Sequence, residues 1–145
     1  MNKKLQSIFL ISVIIGGIFG VISLIPFVAK ISVIVLLTII SVPLIYICKK
    51  QNLMEISNEK DSLKWGALIG VFSTLGFGLT FYPLVYVLSL FFSMEYLGGF
   101  SLMVRLMSFA LALMFIIFVC VISAVFNAFS ALMYYYIEGS IKNLK

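Results

Sequence analysis

Residues 106–137 read LMSFALALMFIIFVCVISAVFNAFSALMYYYI, without one charged side chain. As a helix this stretch would extend roughly 48 Å, well past the ~30 Å hydrocarbon core of a bilayer. In lipid a helix satisfies its own backbone, so uncharged apolar runs of about 18 residues or more read as membrane-spanning helices. Three further runs share this character: residues 5–29, 31–48 and 65–94. Charge makes up 10% of the chain and hydrophobic residues 63%, and every charged side chain falls outside the four runs. A soluble domain would devote about a quarter of its residues to charge and spread them along each element. The expected fold is therefore all-α: an integral membrane four-helix bundle of two helical hairpins. Its helices are expected near residues 5–29, 31–48, 65–93 and 106–137, joined by a cytoplasmic loop at 49–64, all in a single membrane domain spanning 1–145.

Lysine and arginine placement sets the expected orientation. With the N-terminus inside, the cytoplasmic side collects Lys3, Lys4, Lys49, Lys50, Lys60, Lys64, Lys142 and Lys145, leaving Lys30 and Arg105 outside. That asymmetry over short loops follows the positive-inside rule and predicts both termini in the cytoplasm of a multi-pass cell-membrane protein. Trp65 and Tyr134-Tyr135-Tyr136 then reach the inner interface, and Tyr96 and Phe100 the outer connection. The net charge of +5 is accounted for by these helix ends, so no nucleic-acid partner is implied. Lys3 and Lys4 resemble the start of a signal peptide, but 5–29 exceeds a signal h-region and no A-x-A site follows, so it reads as a retained helix.

The connections differ in character. Pro26–Lys30 is expected to form a tight outer turn, since Pro26 cannot continue a helical ladder. Glu95–Phe100 carries Gly98-Gly99 for backbone freedom. The third and fourth runs are over-long for one bilayer, which predicts tilting or projection, with Pro83 offering a kink in the third. The loop KKQNLMEISNEKDSLK mixes charge signs. It reads as a solvated linker, with Leu53, Met54 and Ile56 available for a short amphipathic surface turn.

Small residues make the clearest pattern. Gly66, Gly70, Thr74 and Gly78 recur every four residues and so share one helix face, and Gly16 and Gly20 give the first helix a shorter version. In lipid, such small-xxx-small seams let helix backbones approach closely. Packing within the bundle is the simpler reading, and a homodimer interface or permeation seam the alternative. In the fourth run Cys120, Ser123, Ala124, Asn127, Ser130 and Ala131 form a small and polar face. Asn127, the carboxamide within a span, should face protein and bond a neighbouring helix rather than lipid. Residues 16–27 and 66–77 match at several glycine, Val, Ser and Phe positions, which suggests a repeat of helical hairpins or a coincidence of narrow composition.

Exclusions carry the functional argument. The chain has no histidine, so no H-E-x-x-H zinc site or Ser-His pair is available. Cys48 and Cys120 form no C-x-x-C pair and read as free, buried thiols used as small apolar residues. No ionisable residue lies within a run, whereas proton- and cation-coupled transporters place one there. Four-helix small multidrug exporters have a similar size, but they depend on a carboxylate in the first helix, and residues 5–29 contain no acid. What remains is a non-enzymatic membrane protein without cofactor or metal. It would act by helix association with the lipid bilayer around it, as a homo-oligomer or an accessory subunit of another membrane protein. The alternative is a small channel, holin-like pore or facilitator lined by Thr74, Ser123 and Asn127.

Overall fold

The computed structural model describes residues 3–91 and 107–143, and these contain helices and no strand. The helices are α1 (Lys3–Ile22), α2 (Pro26–Thr38), α3 (Ser41–Lys50), α4 (Glu59–Phe91) and α5 (Phe109–Asn143). Three of them, α1, α4 and α5, are long and apolar enough to cross a membrane. A fourth crossing exists if α2 and α3, bent by 60° at a short break, count as one span. Arg105 and the Glu95–Phe100 connection, with Tyr96 and Gly98-Gly99, lie outside the described residues.

The central element is α4. One side of it meets α1, which runs in the same direction: Phe9 stacks edge-on against Phe72, and Gly20 lies under Phe77 and Phe81. The opposite side meets α5, which returns antiparallel, so that Gly66 faces Asn127–Ala131 while Gly78 faces Ile116. Ile8, Leu44, Ile45, Cys48, Met54, Ile69 and Ala131 bury together at one end of the molecule. Phe81, Val85 and Leu24 pack together at the other. The first of these ends gathers the start of α1, the end of α3, the start of α4 and the end of α5.

Helix boundaries depart from the sequence reading at the α2–α3 break and at the α1–α2 turn. Residues 31–48 do not form one helix: α2 stops at Thr38 and α3 restarts at Ser41. Pro43 supplies the reason, because it has no N–H to donate and its ring crowds the carbonyl four residues earlier, so it suits the first turn of a helix and not its middle. Pro26, expected in the outer turn, instead opens α2 as a first-turn proline with its fixed φ already helical. The turn is Ser23–Ile25, closed by a hydrogen bond of 2.5 Å between the buried Ser23 and Ser32 hydroxyls. Pro83, in contrast, sits on an exposed face of α4, and the helix continues through it.

The loop is also shorter and better anchored than a solvated linker. Asn52 adopts a left-handed φ of 55° after α3. The Leu53 N–H then returns to Cys48 O and the Asn52 N–H to Lys49 O, which is a Schellman closure. Met54 is buried against the bundle end, with Leu53 and Ile56 packed beside it, so these side chains cap the core. Asn58 then accepts the Asp61 N–H at 2.8 Å, and Glu59 and Asp61 place negative charge in the first turn of α4. That cap and those charges start the helix six residues before the uncharged run begins.

Candidate functional site

A broken helix inside an apolar bundle leaves backbone groups without partners, and satisfying them is the problem this chain solves at its centre. At the end of α2 the N–H groups of Ile39 and Ile40 both return to Val35 O. The carbonyls of Leu36, Leu37 and Thr38 therefore lose the amides a continuous helix would offer, and the Ser41 N–H loses its acceptor. Side chains of α5 fill every one of these gaps.

Asn127 does most of this. Its side chain is fully buried. Its Nδ2 donates to Leu37 O at 2.9 Å and Leu36 O at 3.2 Å, and to Ser123 O at 3.0 Å on its own helix. Its Oδ1 accepts the Ser41 N–H at 2.9 Å. One turn further on, Ser130 Oγ donates to Thr38 O at 2.5 Å. The Ser41 hydroxyl answers by donating to Asn127 O at 2.9 Å. A carboxamide suits this position because it donates and accepts at once, as a helix break requires.

The other polar residues of α5 bind α4. Ser123 Oγ donates to Gly70 O at 3.2 Å, and Ser62 of α4 donates to Ala131 O at 2.7 Å. Gly66 and Gly70 make those approaches possible. A Cβ at Gly70 would sit 2.7 Å from Ser123 O, and one at Gly66 would sit 2.5 Å from Asn127 O. Gly16 and Gly20 lie against α4, not against an open surface, and a Cβ on Gly16 would collide with the Ser73 carbonyl.

The sequence reading missed two features here. A second small-residue seam, Ser73 with Gly76, runs along the α1 side of α4, and Gly76 lies against the Val13 backbone. Its signal was present as small residues three apart between the members of the named stripe. The helix break was signalled by Pro43 and by the hydroxyls at Thr38 and Ser41, all within a run that hydropathy reads as continuous.

Thr74 behaves differently from its stripe. It is buried, its Oγ1 has no hydrogen-bond partner, and it does not pair with Asn127. It lines a cavity of about 140 Å³ between α2, α4 and α5, with Leu36, Leu37, Phe77, Phe81 and Phe115 among the walls. Ser12 and Ser73 also carry buried hydroxyls without partners, in α1 and α4.

An ion pair sits at the end of the molecule where α3 and α5 finish. Lys49 and Glu138 form an ion pair of 2.5 Å joining α3 to α5, with the Lys49 ammonium 6.0 Å from the Tyr134 ring centre. Both cysteines are free and buried. Among the described residues no group of three or more His, Cys, Asp or Glu side chains is placed to hold a metal ion. The chain matches no known protein family, no curated protein and no solved structure.

Proposed function

We propose that this is a four-span integral protein of the cell membrane, with the α2–α3 pair as one bent span and both termini cytoplasmic. We further propose that it is non-enzymatic and acts by helix association, as an accessory subunit or a homo-oligomer. The observation that carries the association reading is the coverage of α5. Its most apolar stretch is 17% buried, against 44% for α4. Phe118, Val121, Val125 and Phe129 all lie exposed along it. The glycine seams are occupied within the chain, so the outer face of α5, together with the exposed face of α1 that carries Leu10, Ile14 and Ile18, is left for a lipid or protein neighbour. The orientation is supported by the bundle end that gathers Lys3, Lys4, Lys49, Lys50, Lys60 and Lys64.

The alternative, a small channel or facilitator, has less support. Ser123, Asn127 and Ser130 are engaged by backbone groups of neighbouring helices, so a polar path through them would require breaking the contacts that hold α2, α3 and α4 to α5. Association is tested by placing single cysteines at Val121 and Val125 in a chain lacking Cys48 and Cys120, then oxidising native membranes. Disulfide-linked dimers, or a discrete heterologous adduct, are expected from one face of α5. A monomer at every position, with solute flux in liposomes containing this chain alone, would replace association by the channel reading.

A further inference from the structure

A cleft of about 390 Å³ opens at the end of the molecule where α3 and α5 finish, with Lys49, Ser57, Tyr135, Tyr136, Glu138 and Gly139 among its walls. That volume falls in the range of roughly 300–1,000 Å³ typical of small-molecule sites. Its charged walls among the described residues are Lys49 and Glu138, whose side chains stay 27% and 25% exposed, so a ligand in the cleft can reach both. The Lys49 ammonium has three N–H donors and gives one to Glu138 Oε2. The Glu138 carboxylate offers about four acceptor sites, so it can take a second cation beside Lys49. Tyr135 and Tyr136 meet edge to face at 70°, their ring centres 5.8 Å apart. Glu59 stands beside the Tyr136 side chain and adds negative charge to that rim.

The charge pattern selects the occupant. A bare anion at Lys49 would also face Glu138, and a bare cation at Glu138 would also face Lys49, each meeting a like charge at close range. A zwitterion laid antiparallel to the ion pair meets opposite charge at both ends, its anion on Lys49 and its cation on Glu138. A primary ammonium suits the cationic end, because it donates to the carboxylate and hydroxyl oxygens there, whereas a quaternary ammonium has no N–H to donate. The surroundings identify the anionic end. Phe129, Met133 and Tyr136 recur at four and three residues along α5 and all lie exposed, an apolar track leading from the hydrocarbon region into the cleft. An acyl chain on that track carries a phospholipid headgroup to Lys49, and its anion is a phosphate.

We propose that this cleft binds the ammonium–phosphate zwitterion of phosphoethanolamine, presented as the headgroup of a lipid whose acyl chain lies along α5. The inference rests on the chain spanning a membrane and is independent of whether it associates. The full chain in non-ionic micelles is titrated with phosphatidylethanolamine, phosphatidylcholine or phosphatidylglycerol of one acyl length, and one-to-one adducts are followed by native mass spectrometry. The ethanolamine lipid is expected to bind about tenfold tighter than the other two, the lower end of what a hydrogen bond to a charged group supplies. Gly139→Leu fills the cleft from α5, where nothing lies within 4 Å of an added Cβ, so the fold is kept and the ethanolamine lipid should bind about tenfold more weakly. Glu138→Gln leaves Lys49 unbalanced and should turn the preference to the anionic glycerol lipid, which a merely structural ion pair would not do. Free phosphoethanolamine at millimolar concentration is expected to leave the lipid adduct in place. Its displacement of the lipid would keep the headgroup chemistry and overturn the bilayer as the source. The proposal fails if the three lipids bind alike, or if Gly139→Leu and Glu138→Gln both leave the ethanolamine preference unchanged.

Discussion

Asn127 and Ser41, 86 positions apart, are joined twice: Asn127 Oδ1 accepts the Ser41 N–H, and Ser41 Oγ donates to the Asn127 carbonyl, each at 2.9 Å. The pair closes the break between α2 and α3 from outside, so the bend depends on a residue of another helix. Replacing Asn127 by Leu keeps the branch point and the number of side-chain heavy atoms but orphans the Ser41 N–H and the Leu37 carbonyl among apolar helices. Each such group costs about 1–3 kcal/mol. The expected loss is about 2–6 kcal/mol, read as a large drop in melting temperature in detergent. Ser130→Ala removes one donor and should cost about 1 kcal/mol. A melting curve for Asn127→Leu that overlays the wild type would show that the break needs no cap.

The Lys49–Glu138 pair invites the opposite expectation. Its side chains are 27% and 25% exposed, so solvent and salt screen part of the attraction. Glu138→Gln should lower stability by no more than about 1 kcal/mol. The difference from wild type should shrink as sodium chloride is raised from low concentration to about 1 M, where the Debye length falls to ~3 Å. A larger loss that salt does not change would point to a packing role for Glu138.

The helical, membrane-compatible character of the chain was legible because the cost of burying charge and open backbone in lipid is large, and it writes itself into composition. The break was not, because hydropathy averages over Pro43 as readily as over Leu44. Asn127 stood out by type, since a carboxamide in an apolar run needs a protein partner. Its partners could not be read, because the Leu36, Leu37 and Ser41 backbone groups lie 86 to 91 positions away and are identical in kind to every other backbone group. The Gly66, Gly70 and Gly78 stripe was visible at its spacing of four. Thr74 shares that spacing, yet its hydroxyl is left unpartnered beside a cavity, which depends on the neighbouring helices and not on periodicity. The matched glycines of residues 16–27 and 66–77 serve different contacts: Gly16 and Gly20 of α1 lie against Ser73 to Phe81 of α4, whereas Gly66 and Gly70 of α4 face α5.

Sidedness gives a prediction independent of packing. A reporter active only outside the cytoplasm, fused after Lys145 or inserted between Asn52 and Asn58, should give no signal. The same reporter inserted at Gly98 should give one. An active fusion after Lys145 together with a silent one at Gly98 would invert the orientation. The same pattern with the N-terminus shown to stay inside would instead mean that α2 and α3 re-enter on one side, leaving three crossings.

Glycine substitutions test whether α4 is held by backbone approach on both sides. A Cβ at Gly16 would collide with the Ser73 carbonyl, one at Gly76 with the Val13 backbone, and one at Gly70 would stand 2.7 Å from Ser123 O. Each neighbour is backbone, which moves only if the helices separate. Gly70→Leu adds a branched side chain at the α5 contact, and overpacking of this kind typically costs about 1–3 kcal/mol. Gly16→Ala and Gly76→Ala should destabilise within the same range through the α1 contact. Val71, next to Gly70, is half-buried, so Val71→Leu should cost less than Gly70→Leu. Gly139 is the internal control: nothing lies within 4 Å of its added Cβ, and it sits in the last turns of α5. There Gly139→Ala should raise stability by up to about 1 kcal/mol, through helix propensity alone. Opposite signs for Gly16 and Gly139 in the same detergent melt are the expected pattern. If alanine is tolerated equally at Gly16, Gly76 and Gly139, the helices of this chain are not in close backbone contact.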